Sequence, residues 1–339
     1  MVSIKDVAKQ AGVSVGVVSK AFNGYPDVNV KTRERIFEIA KEMKYSPNRV
    51  AKSLSSKQPS SVGLIASGFK TNDKKDNNSY MLFKGVYAGI EELNRDLSMY
   101  FTDSKKQKHK SYIQYCTERN IGGAILQGMR VDDPYFKELV DTAFPCVLID
   151  VVLPEHNPYI GSISINNRKA TEDMTNYLFE RGHRDIVVMA GTKEAYVNEQ
   201  RLLGVEDAYR EHGLSLEVDK VIDADFCDQQ AYEKAKAIFE SGTYPSAFIC
   251  FSDIMAYGVM RAAHDCGLSV PDDVSITGFD DSMISSLTQP GITTILQDFF
   301  EMGRQAAFLL DRIMNNRVET NILELDYQLL ERGSVKDLR

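Results

Sequence analysis

Apolar positions at helical spacing open the chain. Ile4, Val7, Ala8 and Ala11 follow Ser3, a natural N-cap, with Asp6 as a carboxylate in the first turn, and predict a helix over 4–11. Gly12 lets the chain turn, Ser14 is the next cap, and Val15–Phe22 reads as a second short helix. Only Gly12-Val13-Ser14 separates the two, so they cross steeply as in a helix-turn-helix, with Ala8 giving room and Val18 supplying a core contact. A third helix follows Asn29 through Ile36, Phe37, Ile39, Ala40 and Met43, with Lys31, Arg33, Lys41 and Lys44 facing outward. Ser46 and Pro47 then start a segment of about two turns, ending near Leu54, that is too short to hold a helix alone in water. A polar linker follows to Ser61.

From Val62 the pattern becomes short apolar runs at 62–66, 99–102, 123–126, 146–149, 163–165, 186–190, 247–251 and 274–277. Segments of helical period fall between them, among them 83–93, 170–179, 201–209 and 254–263. The alternation predicts an α/β fold of parallel strands with crossover helices, and eight strands divide more naturally into two doubly wound lobes than into one sheet.

Composition narrows the class. The 339 residues are 43% hydrophobic and 26% charged, enough for two or three globular domains, which excludes collagen-like, disordered and disulfide-scaffold chains. No apolar run approaches the ~20 residues that span a bilayer, and the N-terminus lacks the hydrophobic stretch of a secretion signal, so the expected location is the cytoplasm with no membrane partner. Five widely spaced cysteines read as buried free thiols rather than metal ligands or disulfides. Charge is uneven: residues 1–60 hold 11 Lys/Arg against 5 Asp/Glu, and the rest 29 against 43. A basic head on an acidic body fits a head that meets a polyanion; a solvated helical surface is the alternative.

If the head is a DNA-binding unit, its second helix enters the major groove, where Val15, Gly16 and Lys20 reach base edges. Lys20 can donate to guanine and Val15 can touch a thymine methyl, while Gly16 has nothing to read with. Ser14, Ser19, Asn23 and Arg33 suit phosphate contacts, which position the head without reading sequence. The segment carrying Asn48, Arg49, Ala51, Lys52 and Leu54 folds when held by DNA and a second copy, and Leu54 between basic neighbours suits a minor-groove wedge. The other reading packs that leucine on the next domain.

Ligands of doubly wound folds bind beyond the carboxyl ends of strands, which selects Ser67, Gln127, Asp150, Ser252, Asp253 and Asp280. Arg201 at a helix start and the aromatics Phe226 and Phe299 near loops join them. Carboxylates accepting hydroxyl hydrogens, a forked arginine donor and flat apolar faces suit a neutral polyol such as a sugar. Helix capping is the competing role for Asp253, Asp280 and Asp281. No phosphate loop, Gly-x-Ser-x-Gly elbow, His-Glu-x-x-His or Cys-x-x-Cys is present, and His183-Arg184-Asp185 lacks the asparagine and glycine-rich loop of a kinase. His183 is expected to bond backbone near the loop before Ile186. No enzyme, cofactor or metal is therefore expected.

Ile4-Lys5-Asp6-Val7-Ala8, Ala11-Gly12-Val13-Ser14, Val18-Ser19 and Tyr45-Ser46-Pro47-Asn48-Arg49-Val50-Ala51 resemble the head and hinge of the lactose/galactose repressor (LacI/GalR) family. The resemblance extends along the chain through 244–258, 267–281 and 290–295, with Gln297 and Gly303 following. It implies a homodimer whose second helices occupy two half-sites of a palindromic operator and whose hinge helices insert Leu54 at its centre. It also implies a two-lobed body of the periplasmic-binding-protein (type I) fold. By residue-wise match, Arg201, Asp280 and Ser252 fall where the family binds its effector sugar, and Asp150, Phe226, Phe299, Gln127 and Ser67 on other lining positions. Ser252 stands where Asn is more usual, and Val151 where Arg is frequent. The expected division is a head over 1–45, hinge and linker over 46–61, an N-lobe over 62–160 plus 292–320, and a C-lobe over 161–291 plus 321–339. The expected function is a sequence-specific transcriptional regulator, a repressor, controlled by a small carbohydrate-like effector. The alternative is a cytoplasmic sugar sensor without operator-specific DNA binding.

Overall fold

The computed structural model describes residues 2–22, 24–45, 61–68, 77–139, 141–153, 157–317 and 320–339, which fall into two units, Met1–Ser60 and Ser61–Arg339. The first holds α1 (Ile4–Ala11), α2 (Val15–Phe22) and α3 (Val30–Glu42). Their starts follow the expected chemistry. The Ser3 backbone N–H and hydroxyl donate to Asp6 at 2.8 and 2.7 Å, Ser14 Oγ accepts from the Val17 N–H at 3.3 Å, and Asn29 Oδ1 accepts from the Lys31 N–H at 2.9 Å. Gly12 takes φ 64°, a left-handed turn that a side chain would strain. Val7, Ala8, Ala11, Val18, Ala21, Ile36 and Ala40 close the core. Phe37 was expected inside. Ile36 and Ala40 hold the inward face of α3, and Phe37, one position round the helix, lies half-exposed at the rim, 5.2 Å from Phe22. The segment with Asn48, Arg49, Ala51 and Leu54 lies outside the described residues, as does Asn23.

The second unit is built on two parallel sheets. β1 (Ser61–Ser67), β2 (Asp96–Thr102), β3 (Ile121–Gln127), β4 (Cys146–Ile149), β5 (Ile160–Ile165) and β11 (Ile322–Leu325) form one, in the order β11-β5-β4-β3-β1-β2. β6 (Ile186–Ala190), β7 (Val221–Asp223), β8 (Ala247–Cys250) and β9 (Ser275–Thr277) form the other, ordered β7-β6-β8-β9. β10 (Thr294–Gln297) and β12 (Tyr327–Leu330) pair antiparallel. Strands buried on both faces need helices on both sides. α4 (Asn77–Glu92) and α13 (Phe299–Met314) cover one face of the larger sheet, and α6 (Tyr112–Glu118) and α7 (Pro134–Leu139) the other, with α5 (Ser104–Gln107) beside them. α8 (Asn167–Glu180), α9 (Tyr196–Glu211), α10 (Asp228–Glu240) and α11 (Asp253–Asp265) wrap the smaller sheet, and α12 (Met283–Leu287) follows β9. α4 and α13 meet backbone to backbone: a Cβ on Gly85 would fall 1.9 Å from the Phe300 carbonyl oxygen, and one on Gly303 2.2 Å from that of Leu82.

The eight expected runs are eight of the twelve strands among the described residues. The lobe divisions are corrected. β5 and β11 pair within the six-stranded sheet, and β10 pairs with β12 beside the smaller one, so the chain crosses at 165/166, 297/298 and 325/326 instead of 160/161, 291/292 and 320/321. A strand completes its ladder in one sheet before it leaves; the expected boundary at 160/161 cut β5 at its start, and those at 291/292 and 320/321 fell just before β10 and β11. The cysteines are free, with Cys116, Cys146 and Cys250 buried. His183 is buried and bonds the Lys336 carbonyl and Ser246 Oγ, each at 3.0 Å, so its backbone partner comes from the C-terminal strap rather than from its own loop. No helix among the described residues is long and apolar enough to cross a membrane.

Candidate DNA-reading face and effector cavity

α2 presents Ser14, Val15 and Gly16 to solvent at its start, with Val15 40% exposed and nothing but Ser14 Oγ within 4 Å of a Cβ built on Gly16. Lys20 stands one turn on and pairs with Asp27, a half-exposed partner that sequence reasoning did not weigh. The ion pair raises the lysine and lowers the aspartate from their ordinary pKa ranges. Ser19 is half-buried, and Arg33 turns inward, donating to the Tyr25 carbonyl at 2.6 Å. The arginine expected on phosphate is thereby tied to the loop that follows α2. Its placement follows from the α3 register, which points it at that loop.

A cavity of about 470 Å³ opens between the lobes of the second unit. Ser67, Gln127, Asp150, Phe226 and Phe299, all expected, line it, as do Ser79, Arg130, Thr192, Tyr196 and Asp225, which were not foreseen. Ser67 ends β1 and Gln127 ends β3, as the strand-end rule requires. Gln127 donates to Ser79 Oγ at 2.9 Å, and its Oε1 is buried with no partner among the described residues. Asp150 sits at φ 57° after β4, where Ser164 Oγ donates to its Oδ1 at 2.6 Å. Burial pushes its carboxyl up, against the pull of Ser164 and of Arg201. Phe226 also has positive φ and packs over Gly191, where a Cβ would lie 2.1 Å from its ring. Behind Ser67 lies Asp133, fully buried, accepting from Ser104 Oγ at 2.6 Å and the Arg130 N–H at 3.1 Å. Its place before Pro134 signals a helix start, and nothing in the sequence marks it as a cavity support.

Arg201, Ser252, Asp253 and Asp280 are brought together but not onto the cavity wall. Arg201 is 3% exposed. Its Nε donates to Asn167 Oδ1 at 2.8 Å, another nitrogen to the Phe251 carbonyl, and the guanidinium lies 3.6 Å from Asp280 and 3.6 Å from the Phe279 ring centre. Asn167 then donates to Ser164 Oγ at 3.0 Å, so a chain of neutral groups leads from Arg201 to Asp150. Ser252 caps α11, accepting from the Met255 N–H at 3.3 Å. Asp253 takes the Thr294 hydroxyl and the Ser282 N–H, both at 2.6 Å, and burial beside Asp280 pushes its carboxyl well up. Asp280 accepts from Gln297 at 2.6 Å and, across the cleft, from Asn78 of α4 at 3.0 Å. Asp281 pairs with Arg332 at 2.7 Å. Neither aspartate caps the next helix, whose N-cap is Ser282.

A helix-turn-helix unit joined to a two-lobed body with a polar interlobe cavity defines a ligand-responsive regulator. Residues 3–48 match the bacterial regulatory proteins of the lacI family, and residues 175–335 match the periplasmic binding protein-like domain. The chain is 31% identical over 340 residues to the HTH-type transcriptional repressor PurR of Salmonella typhi, covering 99% of this chain and 98% of the relative. It is 29% identical over 341 residues to catabolite control protein A of Priestia megaterium, covering 99% of each. The fold matches the lac repressor dimer bound to operator and the anti-inducer ONPF with a TM-score of 0.85 at 24% identity, over 99% of both chains. It matches the CelR–cellobiose complex at 0.74 and 26% identity, over 98% of this chain and 100% of the other. The chain belongs to the lacI family of transcriptional regulators.

Proposed function

We propose that the protein is a cytoplasmic repressor that binds a palindromic operator as a homodimer and changes its affinity when a small carbohydrate-like effector fills the interlobe cavity. One observation carries the reading: a polar cavity lined by Asp150 and by Gln127, whose Oε1 has no partner among the described residues, lies between lobes linked by three chain crossings, in a chain that carries a helix-turn-helix. Lobes on three crossings can change their angle, and a ligand shifts that angle only by binding one state more tightly. The relative solved with cellobiose supports a sugar effector, and the one solved as a dimer on operator supports the assembly. Tyr80, Tyr87, Met99 and Phe101 form an exposed apolar face on α4 and β2 that suits a second copy. In this reading Val15, Gly16 and Lys20 face bases, Ser14 and Ser19 face phosphates, and the segment from Asn48 to Leu54 enters the minor groove. Its roles need no catalytic group.

The test is selection of tight sites from random duplexes, then titration with mono- and disaccharides. A selected palindrome, a log–log salt slope of about −5 to −9 from roughly 6–10 phosphate contacts, and a sugar that shifts the affinity are expected. No enriched site and a shallow slope would sink the operator reading. Leu54→Ala is expected to weaken selected-site binding more than bulk DNA binding.

A further inference from the structure

The cleft is bridged beside the chain crossings and also away from them. Asn78 reaches Asp280 next to the crossing at 297/298, since Gln297, the last residue before it, bonds the same carboxylate at 2.6 Å. The other bridge joins the loop after β3 to the loop after β6. The Val131 N–H donates to the Glu194 carbonyl at 3.0 Å, and Arg130 Nη2 lies 3.1 Å from the Glu194 carboxylate. Tyr196, two residues on, packs against the N-lobe core that includes Met129 and Val151. Arg130 and Tyr196 line the cavity, so this bridge is part of its wall. The loop that carries Arg130 is held from behind. Asp133, fully buried, accepts from Ser104 Oγ at 2.6 Å, the Arg130 N–H at 3.1 Å and Ser67 Oγ at 3.4 Å, donors from three separate segments. Arg130 also donates to both oxygens of Asp132, at 2.9 and 3.1 Å, so its charge keeps a partner when Glu194 withdraws. Opening this bridge therefore breaks one exposed ion pair, one backbone bond and one apolar contact, and strands no charge.

We infer that Arg130, Val131 and Glu194 form a clasp that opens to let the effector in and out, and that Asp133 is the positioning residue that keeps the Arg130 loop ready to close it. The inference rests on the reading of this cavity as the effector site. The closed clasp is made by the chain's own groups, so entry waits on the fraction of molecules in which it is open. It closes again over bound effector, so release waits on the same event. Weakening it speeds both passages by one factor and leaves their ratio, the affinity, where it was.

The test is hydrogen exchange of the full-length protein with no sugar added, read at the Val131 amide. That amide is expected to be protected. Glu194→Ala is expected to speed its exchange about two- to fivefold, the size of one exposed ion pair, while the amides of β4 keep their rates. Salt screens the pair, so it should move the unmutated protein toward the variant and leave the variant unchanged. Asp133→Asn loosens the loop and is expected to speed Val131 beyond any change in β4. If that variant does not fold, Ser104→Ala removes one of the three donors and reads the same hold. Stopped-flow binding to Glu194→Ala of each mono- or disaccharide that binds is expected to show association and dissociation faster by the same factor, with Kd within about twofold. Val131 exchange at the free-peptide rate in the unmutated protein, or protection that neither Glu194→Ala nor salt changes, overturns the clasp and leaves the cavity as the effector site. Unchanged Val131 exchange in folded Asp133→Asn, or in Ser104→Ala, overturns the positioning role. An affinity that shifts while the association rate stays the same makes Glu194 a ligand contact and overturns the gating. A clasp read by exchange in a protein that binds no sugar keeps the movement and ends the sugar reading.

Discussion

The two sides of the cleft hold the same chemistry in different states. On the N-lobe side, Ser67, Gln127, Asp150 and Phe299 stand at or after strand ends and line the cavity, where Gln127 Oε1 has no partner among the described residues. Deeper on the C-lobe side, Ser252, Asp253 and Asp280 occupy equivalent strand ends or helix starts and Arg201 the second turn of α9, yet they bond one another, Asn167, Thr294, Gln297, Asn78 and backbone. Position at a strand end finds both groups. What separates them is whether the neighbouring chain already supplies partners, and that depends on β10 and on the Ser282 turn, which return from far along the sequence. In the proposed function the first group meets the ligand, and the second holds the lobes and orients Asp150.

The sharpest way to break this comparison is Arg201→Ala. If Arg201 is internal scaffolding, its loss strands Asp280 beside Asp253 in a buried space, and stability measured by urea unfolding should fall by about 3–5 kcal/mol. A variant that keeps its stability and loses only effector binding would move Arg201 to the ligand side.

Asp253 gives a test in pH. Its folded pKa is raised, so its favourable contribution is fully present below the unfolded value near 3.8 and is lost as pH rises through the folded value. Asp253→Asn removes this titration while keeping one oxygen for Thr294 or Ser282. Over the interval upward from pH ~4, its unfolding free energy should decline less steeply than that of the unmutated protein, by at most about 1.4 kcal/mol per pH unit for one proton. Parallel curves would mean that Asp253 carries no raised pKa.

Asp150→Asn probes the open side. One amide replaces a charged acceptor, so effector affinity should drop about 10- to 100-fold, with the urea midpoint nearly unchanged. A large stability loss with intact affinity would place Asp150 with the internal group and dissolve the contrast between the two sides.

How much of this was legible varies with the range of the interactions. The head was readable because its caps act over three residues: Ser3 with Asp6, Ser14 with Val17, Asn29 with Lys31. The parallel strands buried on both faces were readable as apolar runs. β11 and β12 were not, because they are half-exposed at sheet margins and read as polar alternation, and β7 is only three residues long. Losing β7 concealed Asp225, which stands two residues past its end. Arg201 was expected to line the cleft and instead lies behind its wall, because its burial depends on Asn167, Phe251 and Phe279, whose approach no local pattern records.

The smallest expected effect is in the head, where the same question of occupied against open valences recurs. Lys20, the one long donor on the face of α2, is engaged by Asp27 in the DNA-free protein, whereas Val15 is open. An exposed pair of this kind is weak and yields to a stronger partner, so it tunes rather than blocks the reading of a base. Asp27→Asn removes a carboxylate from the approach to DNA and releases the lysine before binding. Affinity for bulk duplex should rise about two- to fivefold, a size typical of removing one exposed pair. If Lys20 then also rests on a phosphate, the log–log salt slope steepens by roughly one; if it reads a base edge, the slope hardly moves and preference at one operator position sharpens instead. An unchanged affinity and slope would mean that Asp27 leaves Lys20 free on DNA, and would place the head's specificity on Val15 and on the segment that ends at Leu54.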